Sequence, residues 1–418
     1  MALPNQLDYS QSISELPECT NYEVTLVPST GAGSYNPGSL IKFDFQQRGF
    51  IDSSSIVLRY KYTVTNLVGA EMIGTPAYTP FLRLETLLGS QVVESINQYN
   101  QVANLYCNTQ MDVAMKYGMQ SSLGYNNNTS VPSLEQLDGR LCTVNEVGTF
   151  SCPLIGLLSS SAKLIPAFCM PQISVQLTMD QIANMFTTTI VPTGFVISNV
   201  ELSYNMLDFG RSVELAVLAM PKLYLKCFSF ANSSASIATA TTGSISLVYN
   251  QKYASIKAAY ILPTGTSANS LNKWGDSYDP TSSNGDISIM IAGQTYPQRS
   301  LSTLNNKTYV LQELRRASGN INDKNNNLSV NAVEFNVVGN AVTTYSAPAK
   351  FYVGIPLEKL HIPSDKAILT GVSTNNSNIT VNINTATATA QAHTVNLILN
   401  YDAIIEVDTA VKDARVRQ

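Results

Sequence analysis

Between residues 56 and 64 the chain alternates. Ile56, Leu58, Tyr60, Tyr62 and Val64 fall on one side, and Val57, Arg59, Lys61 and Thr63 on the other. Successive side chains of a strand point to opposite faces, so this spacing predicts a strand with one buried face. Shorter stretches of the same kind predict strands at 22–27, 40–45, 223–230, 244–249, 254–262 and 287–291. Helical spacing is rarer. Val92, Ile96, Tyr99 and Ala103 recur every three to four positions and predict a helix within 91–119. Short helices are expected at 211–219, ending ahead of Pro221, and at 308–317. Asn-, Ser- and Gly-rich stretches separate these elements, the longest at 263–285 and 317–330. Loops of that length usually carry surface function, so 263–285 and 317–345 are expected to form a solvent-facing crown. Many short strands between turn signals predict an all-β protein of sandwiches or barrels with a few short helices.

One arrangement of apolar positions occurs twice. The later copy has Phe351-Tyr-Val-Gly-Ile-Pro-Leu357, a Lys359-Leu-His-Ile-Pro363 corner, an alternating strand through Ile379, Val381 and Ile383, and Leu399-Asn-Tyr-Asp-Ala-Ile404. The earlier copy has Phe150-Ser-Cys-Pro-Leu154, a Lys163-Leu-Ile-Pro166 corner, a strand through Ile173, Val175, Leu177 and Met179, and Leu202-Ser-Tyr-Asn-Met-Leu207. A repeat at about half the chain length reads as two copies of one domain, not as a short-repeat solenoid. The expected organisation is an N-terminal arm at 1–21, a first domain at 22–210, a linker helix at 211–221, a second domain at 222–408 and a C-terminal tail at 409–418.

Composition narrows the function. With 418 residues, each half can bury its own core. Charged residues make up 13% of the chain, about half the usual share, so the polar surface is mostly neutral. A net charge of -4 gives no electrostatic footprint for nucleic acid, and no sequence-specific nucleic-acid binding is expected. Cys19, Cys107, Cys142, Cys152, Cys169 and Cys227 form no Cys-x-x-Cys pair and mostly sit in apolar strand contexts, as buried free thiols in a reducing compartment would. The start of the chain lacks the basic and apolar regions of a signal peptide, and no apolar run approaches 18 residues.

Candidate chemistry is sparse. His361, in the second corner, and His393 have no carboxylate, Cys or second His at ligand spacing. Gly31-Ala-Gly33 lies in a turn, and no nucleophile-elbow, zinc-protease or phosphate-loop motif is present. Asp276, Asp279 and Asp286 resemble a calcium loop only loosely, missing its spacing and its Glu. Glu201 and Asp208 are better read as strand-end charges than as a glycosidase pair. Asn127, Asn232, Asn306 and Asn378 head sequons expected by chance in so Asn- and Ser-rich a chain. Trp274 is either a loop aromatic that anchors a partner or glycan, or the centre of its loop's own small core. No catalytic, cofactor-binding or metal-binding residue is assigned, and an enzyme is not expected.

Taken together, the strand patterns at 150–158 and 163–166, Leu369-Thr-Gly-Val-Ser-Thr-Asn-Asn-Ser-Asn-Ile-Thr380 and Val395-Asn-Leu-Ile-Leu-Asn-Tyr-Asp-Ala-Ile-Ile-Glu-Val407 resemble the double-jelly-roll major capsid proteins. These belong to the tectivirus–adenovirus lineage, with Polinton-like viruses, virophages and large eukaryotic DNA viruses. The likeness spans nearly the whole chain in layout, and its motifs are strand patterns, not catalytic signatures. It implies two tandem eight-stranded jelly rolls and a structural protein of an icosahedral DNA-virus virion. It also implies a homotrimer forming a pseudo-hexameric capsomer, with neighbouring capsomers, penton and minor capsid proteins, and an internal membrane in some cases, as partners. Synthesis in a host cytoplasm without a signal peptide fits the thiols. The alternative is a β-sandwich adhesin or tail-fibre-like glycan-binding protein. It would share the β content and the loop tryptophan but has no need of the repeat.

Overall fold

The computed structural model describes residues 18–31, 33–66, 69–125, 139–187, 191–265, 274–304, 307–319, 328–330, 335, 349–359, 369–389 and 392–418. Eight long strands come first: β1 (Thr20–Leu26), β2 (Leu40–Asp44), β3 (Val57–Thr65), β4 (Phe81–Leu88), β5 (Gln91–Asn97), β6 (Val147–Pro153), β7 (Ile173–Met179) and β8 (Gly194–Asp208). Helix α1 (Tyr99–Gln110) lies between β5 and β6, and α2 (Arg211–Leu218) follows β8. Eight more follow: β9 (Lys222–Ile237), β10 (Gly243–Tyr249), β11 (Ile256–Gly265), β12 (Gly285–Ile291), β13 (Gln294–Ser302), β14 (Val353–Pro356), β15 (Ile379–Thr385) and β16 (His393–Asp408). Helix α3 (Thr308–Ala317) lies between β13 and β14, and β17 (Asp413–Arg417) closes the chain.

The two sets pair in the same order. In the first, β1, β8, β3 and β6 run side by side in one sheet, and β2, β7, β4 and β5 in the other. In the second, β9, β16, β11 and β14 form one sheet and β10, β15, β12 and β13 the other. Counting strands within each set, both read 1-8-3-6 and 2-7-4-5, with every pairing antiparallel. That is the jelly-roll order, written twice.

The repeated segments sit at equivalent places. Phe150 and Phe351 belong to or adjoin the sixth strands, Ile173 and Ile379 begin the seventh, and Leu202 and Leu399 lie in the eighth. In the first corner, Ile165–Pro166 pairs with Phe50–Ile51. The second corner, with His361, lies outside the described residues.

Burial follows the alternation. Ile56, Leu58, Tyr60, Tyr62 and Val64 are all buried, while Arg59 faces solvent. Ile173, Val175, Leu177 and Met179 on β7, and Ile379, Val381 and Ile383 on β15, supply the facing layer of each sandwich. Rings and hydroxyls bridge the layers: Phe45 lies 5.0 Å from Tyr204, and the Tyr249 hydroxyl donates to the Val395 carbonyl at 2.9 Å. Between β12 and β13 the two turn residues Ala292 and Gly293 both have left-handed φ, as a tight hairpin of matching twist requires.

Two expectations are corrected. Residues 91–97 are a strand, and the helix begins only at Tyr99. Val92, Val93 and Ile96 favour a strand, and the Gly89-Ser90 turn folds them back onto β4, so hairpin pairing overrides the helical spacing. The supposed crown is corrected only in part: Asn284 and Gly319 are exposed, and 266–273, 320–327, 331–334 and 336–345 lie outside the described residues, whereas residues 275–281 and 328–330 are buried. Their polar side chains satisfy one another, as where Asp279 accepts from the Thr281 amide and hydroxyl and forms a 3.2 Å ion pair with buried Lys307. Within the expected C-terminal tail, residues 413–417 form a strand. Ala414 is buried against the core, and the strand pairs with Ile404–Asp408 of β16.

Candidate assembly surfaces

The first roll grips the second along a seam built from the edge of β5, helix α1 and the connection from β6 to β7. Strand β9 is the outermost strand of its sheet, and no strand among the described residues pairs with its outer edge. The Ser160 hydroxyl closes part of that edge, donating to the Phe228 carbonyl at 2.6 Å and accepting from the Phe228 amide at 2.9 Å. The Ala162 amide adds a 3.4 Å bond to the Lys226 carbonyl. Tyr106 of α1 packs edge-on against Phe230, Asn232 donates to Gln98 at 2.7 Å, and Asn108 donates to the Tyr352 hydroxyl at 3.3 Å. Wedged between the rolls, α1 buries ten of its twelve residues, whereas α3 buries three of its ten.

Glu94 is the charged group of the seam. Its carboxylate is buried and accepts from the Leu157 amide at 2.7 Å, the Thr86 hydroxyl at 2.6 Å and the Ser229 hydroxyl of the second roll. Burial pushes its pKa above the ordinary glutamate range, and the three donors hold the rise back.

At the loop end Trp274 makes a second clasp. Its indole N–H donates to the Asn184 carbonyl at 2.8 Å, and its ring lies over Gly74. A Cβ at Gly74 would come within 2.9 Å of that ring, and its φ of 64° is left-handed, so glycine serves both needs. Trp274 is therefore neither a solvent-facing anchor nor the core of its own loop. It joins the two rolls. The sequence carried one hint of this: two loops at the same end of two repeated sandwiches must meet if the sandwiches stand side by side.

The remaining candidates resolve into structure. His393 is buried at the start of β16, and desolvation lowers its pKa to about 4, so it stays neutral at ordinary pH. Asp276 accepts from the Ala349 amide and the Tyr278 hydroxyl. Glu201 and Asp208 lie seven residues apart on one strand and so point to opposite faces. Asn232 is buried in the seam and closed to a glycan, Asn378 is exposed, and Asn127 and Asn306 lie outside the described residues. Among the described residues no group of three or more His, Cys, Asp or Glu is placed to hold a metal ion. A 330 Å³ cavity lies where α1 and α3 approach the β11–β16 face, lined by Gln110, Lys257, Tyr260, Arg316, Glu358 and Asn400.

Comparison with known proteins places this geometry. The Faustovirus major capsid protein superposes with a TM-score of 0.65 at 9% identity, over 95% of this chain and 92% of that one. The quasi-atomic model of the PBCV-1 virus capsid gives 0.63 at 12% identity, over 98% and 99%. The mavirus major capsid protein gives 0.53 at 10% identity, over 100% and 95%. No family model and no curated protein matches the sequence. The shared property is the fold, a double jelly roll along the whole chain.

Proposed function

We propose that the chain is a structural major capsid protein, three copies of which form a pseudo-hexameric capsomer that tiles an icosahedral virion shell. One observation carries the reading: the same eight-strand order occurs twice in one chain, and the whole chain superposes on viral capsid proteins of near-equal length. Two similar blocks per chain let three chains present six, which suits a six-neighbour site in a shell. Residues 22–210 and 222–408 are the two blocks, and 211–221 joins them. Neighbouring capsomers, and penton and minor capsid proteins, are the partners, and the virion is the location. The low charge supports the reading, since copies packed densely must not repel one another. Electron microscopy of the purified chain tests it. Class averages should show hexagonal outlines with three-fold symmetry, and single-block monomers would count against it.

A further inference from the structure

The seam inside the chain is heterologous: the front of the first roll covers the back of the second. Among the described residues that leaves the back of the first roll and the front of the second without a counterpart, and register shows which residues these are. In the repeat, Leu202 corresponds to Leu399 and Tyr204 to Tyr401. Opposite them, Val24 and Leu26 of β1 pair with Tyr204 and Leu202, and Ser229 and Ala231 of β9 pair with Tyr401 and Leu399. Glu23, Thr25 and Val27 therefore hold the places of Phe228, Phe230 and Asn232. On β9 those three places are covered by Ser160, Tyr106 and Gln98 of the first roll. On β1 all three are exposed, Val27 at 72%. Like β9, β1 is an outermost strand, and no other strand among the described residues pairs with its outer edge; such edges are ordinarily covered or blunted.

The covering edge has its own counterpart. Glu94 on β5 and Gln98 just beyond it reach β9 within the chain, and β5 is the outer strand of its sheet. The equivalent strand of the second roll, β13, is also outermost and exposes Gln294, Thr295, Gln298 and Arg299. The described residues thus contain one filled joint and both halves of an unfilled one, the condition for head-to-tail association of identical copies.

We propose that the β13 edge of one copy docks on the β1 edge of the next, repeating between chains the joint that β5 makes with β9 within one. The proposal rests on the capsomer reading and names its seam. Charge favours the match, with Arg299 exposed on one side and Glu23 on the other. The weak, exposed Arg59–Glu23 pair at 3.4 Å is no obstacle to a new partner.

The test uses the full chain with Val27→Asp and Arg299→Glu, both at exposed positions, and Val248→Asp on the outward face of β10 as control. Light scattering across a dilution series should show each seam variant dissociating where the wild type stays a trimer, an association about tenfold or more weaker, with far-UV spectra unchanged. The control should match the wild type. Hydrogen exchange supplies a second readout: amides of 20–27 and 294–302 should be better protected in the wild-type trimer than in a seam variant diluted until it dissociates. Trimers undisturbed by both variants, equal loss in the control, or no protection at either edge would overturn the seam while leaving the trimer standing. A wild type that stays monomeric at every concentration would instead overturn the capsomer reading beneath it.

Discussion

Glu94 offers the sharpest test of how the rolls are joined. Replacing it by alanine leaves three buried donors without their acceptor. The two hydroxyls of Thr86 and Ser229 can turn to other partners and lose about 1 kcal/mol each, whereas the fixed Leu157 amide loses about 2–3 kcal/mol. Glu94→Ala should therefore destabilise the chain by about 4–5 kcal/mol. Glu94→Gln keeps a carbonyl oxygen for Leu157 and Ser229 and should cost about 1 kcal/mol in mild acid. The pH dependence separates the two roles of the group. Because burial raises the folded pKa, the native state holds the proton more tightly than the unfolded chain does. Stability from the protonated form is fully present below the unfolded glutamate range and is lost as pH rises through the folded value. The advantage of wild type over Glu94→Gln should then shrink from pH 4 upward. Urea unfolding followed by far-UV circular dichroism and by Trp274 emission at several pH values measures it. A loss below 1 kcal/mol in the alanine variant, or a wild-type advantage that grows with pH, would refute the argument.

Other expectations follow from the same contacts. Trp274 is the chain's one tryptophan, so native emission should be blue-shifted and poorly quenched by acrylamide, and Trp274→Ala should cost about 2–3 kcal/mol in urea unfolding. Lys307→Met strands buried Asp279 and should cost about 3–5 kcal/mol, whereas adding Asp279→Asn should recover part of that in the same assay. Five thiols are buried, and burial pushes Cys142 and Cys227 up to about 12 and Cys169 to about 11. A thiol reagent at pH 8 should therefore modify only Cys19 in the folded chain and all six after denaturation.

The sequence revealed what depends on local periodicity. Alternation at 56–64 marked β3 and its buried face, and the repeated Phe-x-x-x-x and Leu-x-Tyr-Asx segments fell on sixth and eighth strands of both rolls. What escaped was decided by partners distant in sequence. Val92 and Ile96 fit either a helix or a strand, and β4 made the choice. The stretch at 275–281 is polar in composition yet interior, because Asp279 finds Lys307 and Asp276 finds the Ala349 amide. Glu94, the charged centre of the seam, stood unmarked within an apolar run. Its three donors come from residues 8, 63 and 135 positions away, a constellation that no local pattern carries.

The central claim is that the unit of assembly is three chains. The most direct measurement is the solution mass of the purified protein by light scattering, followed through serial dilution. The account predicts a stable species near three times 45.3 kDa, persisting as the protein is diluted. A species that holds at 45.3 kDa at every concentration would contradict it.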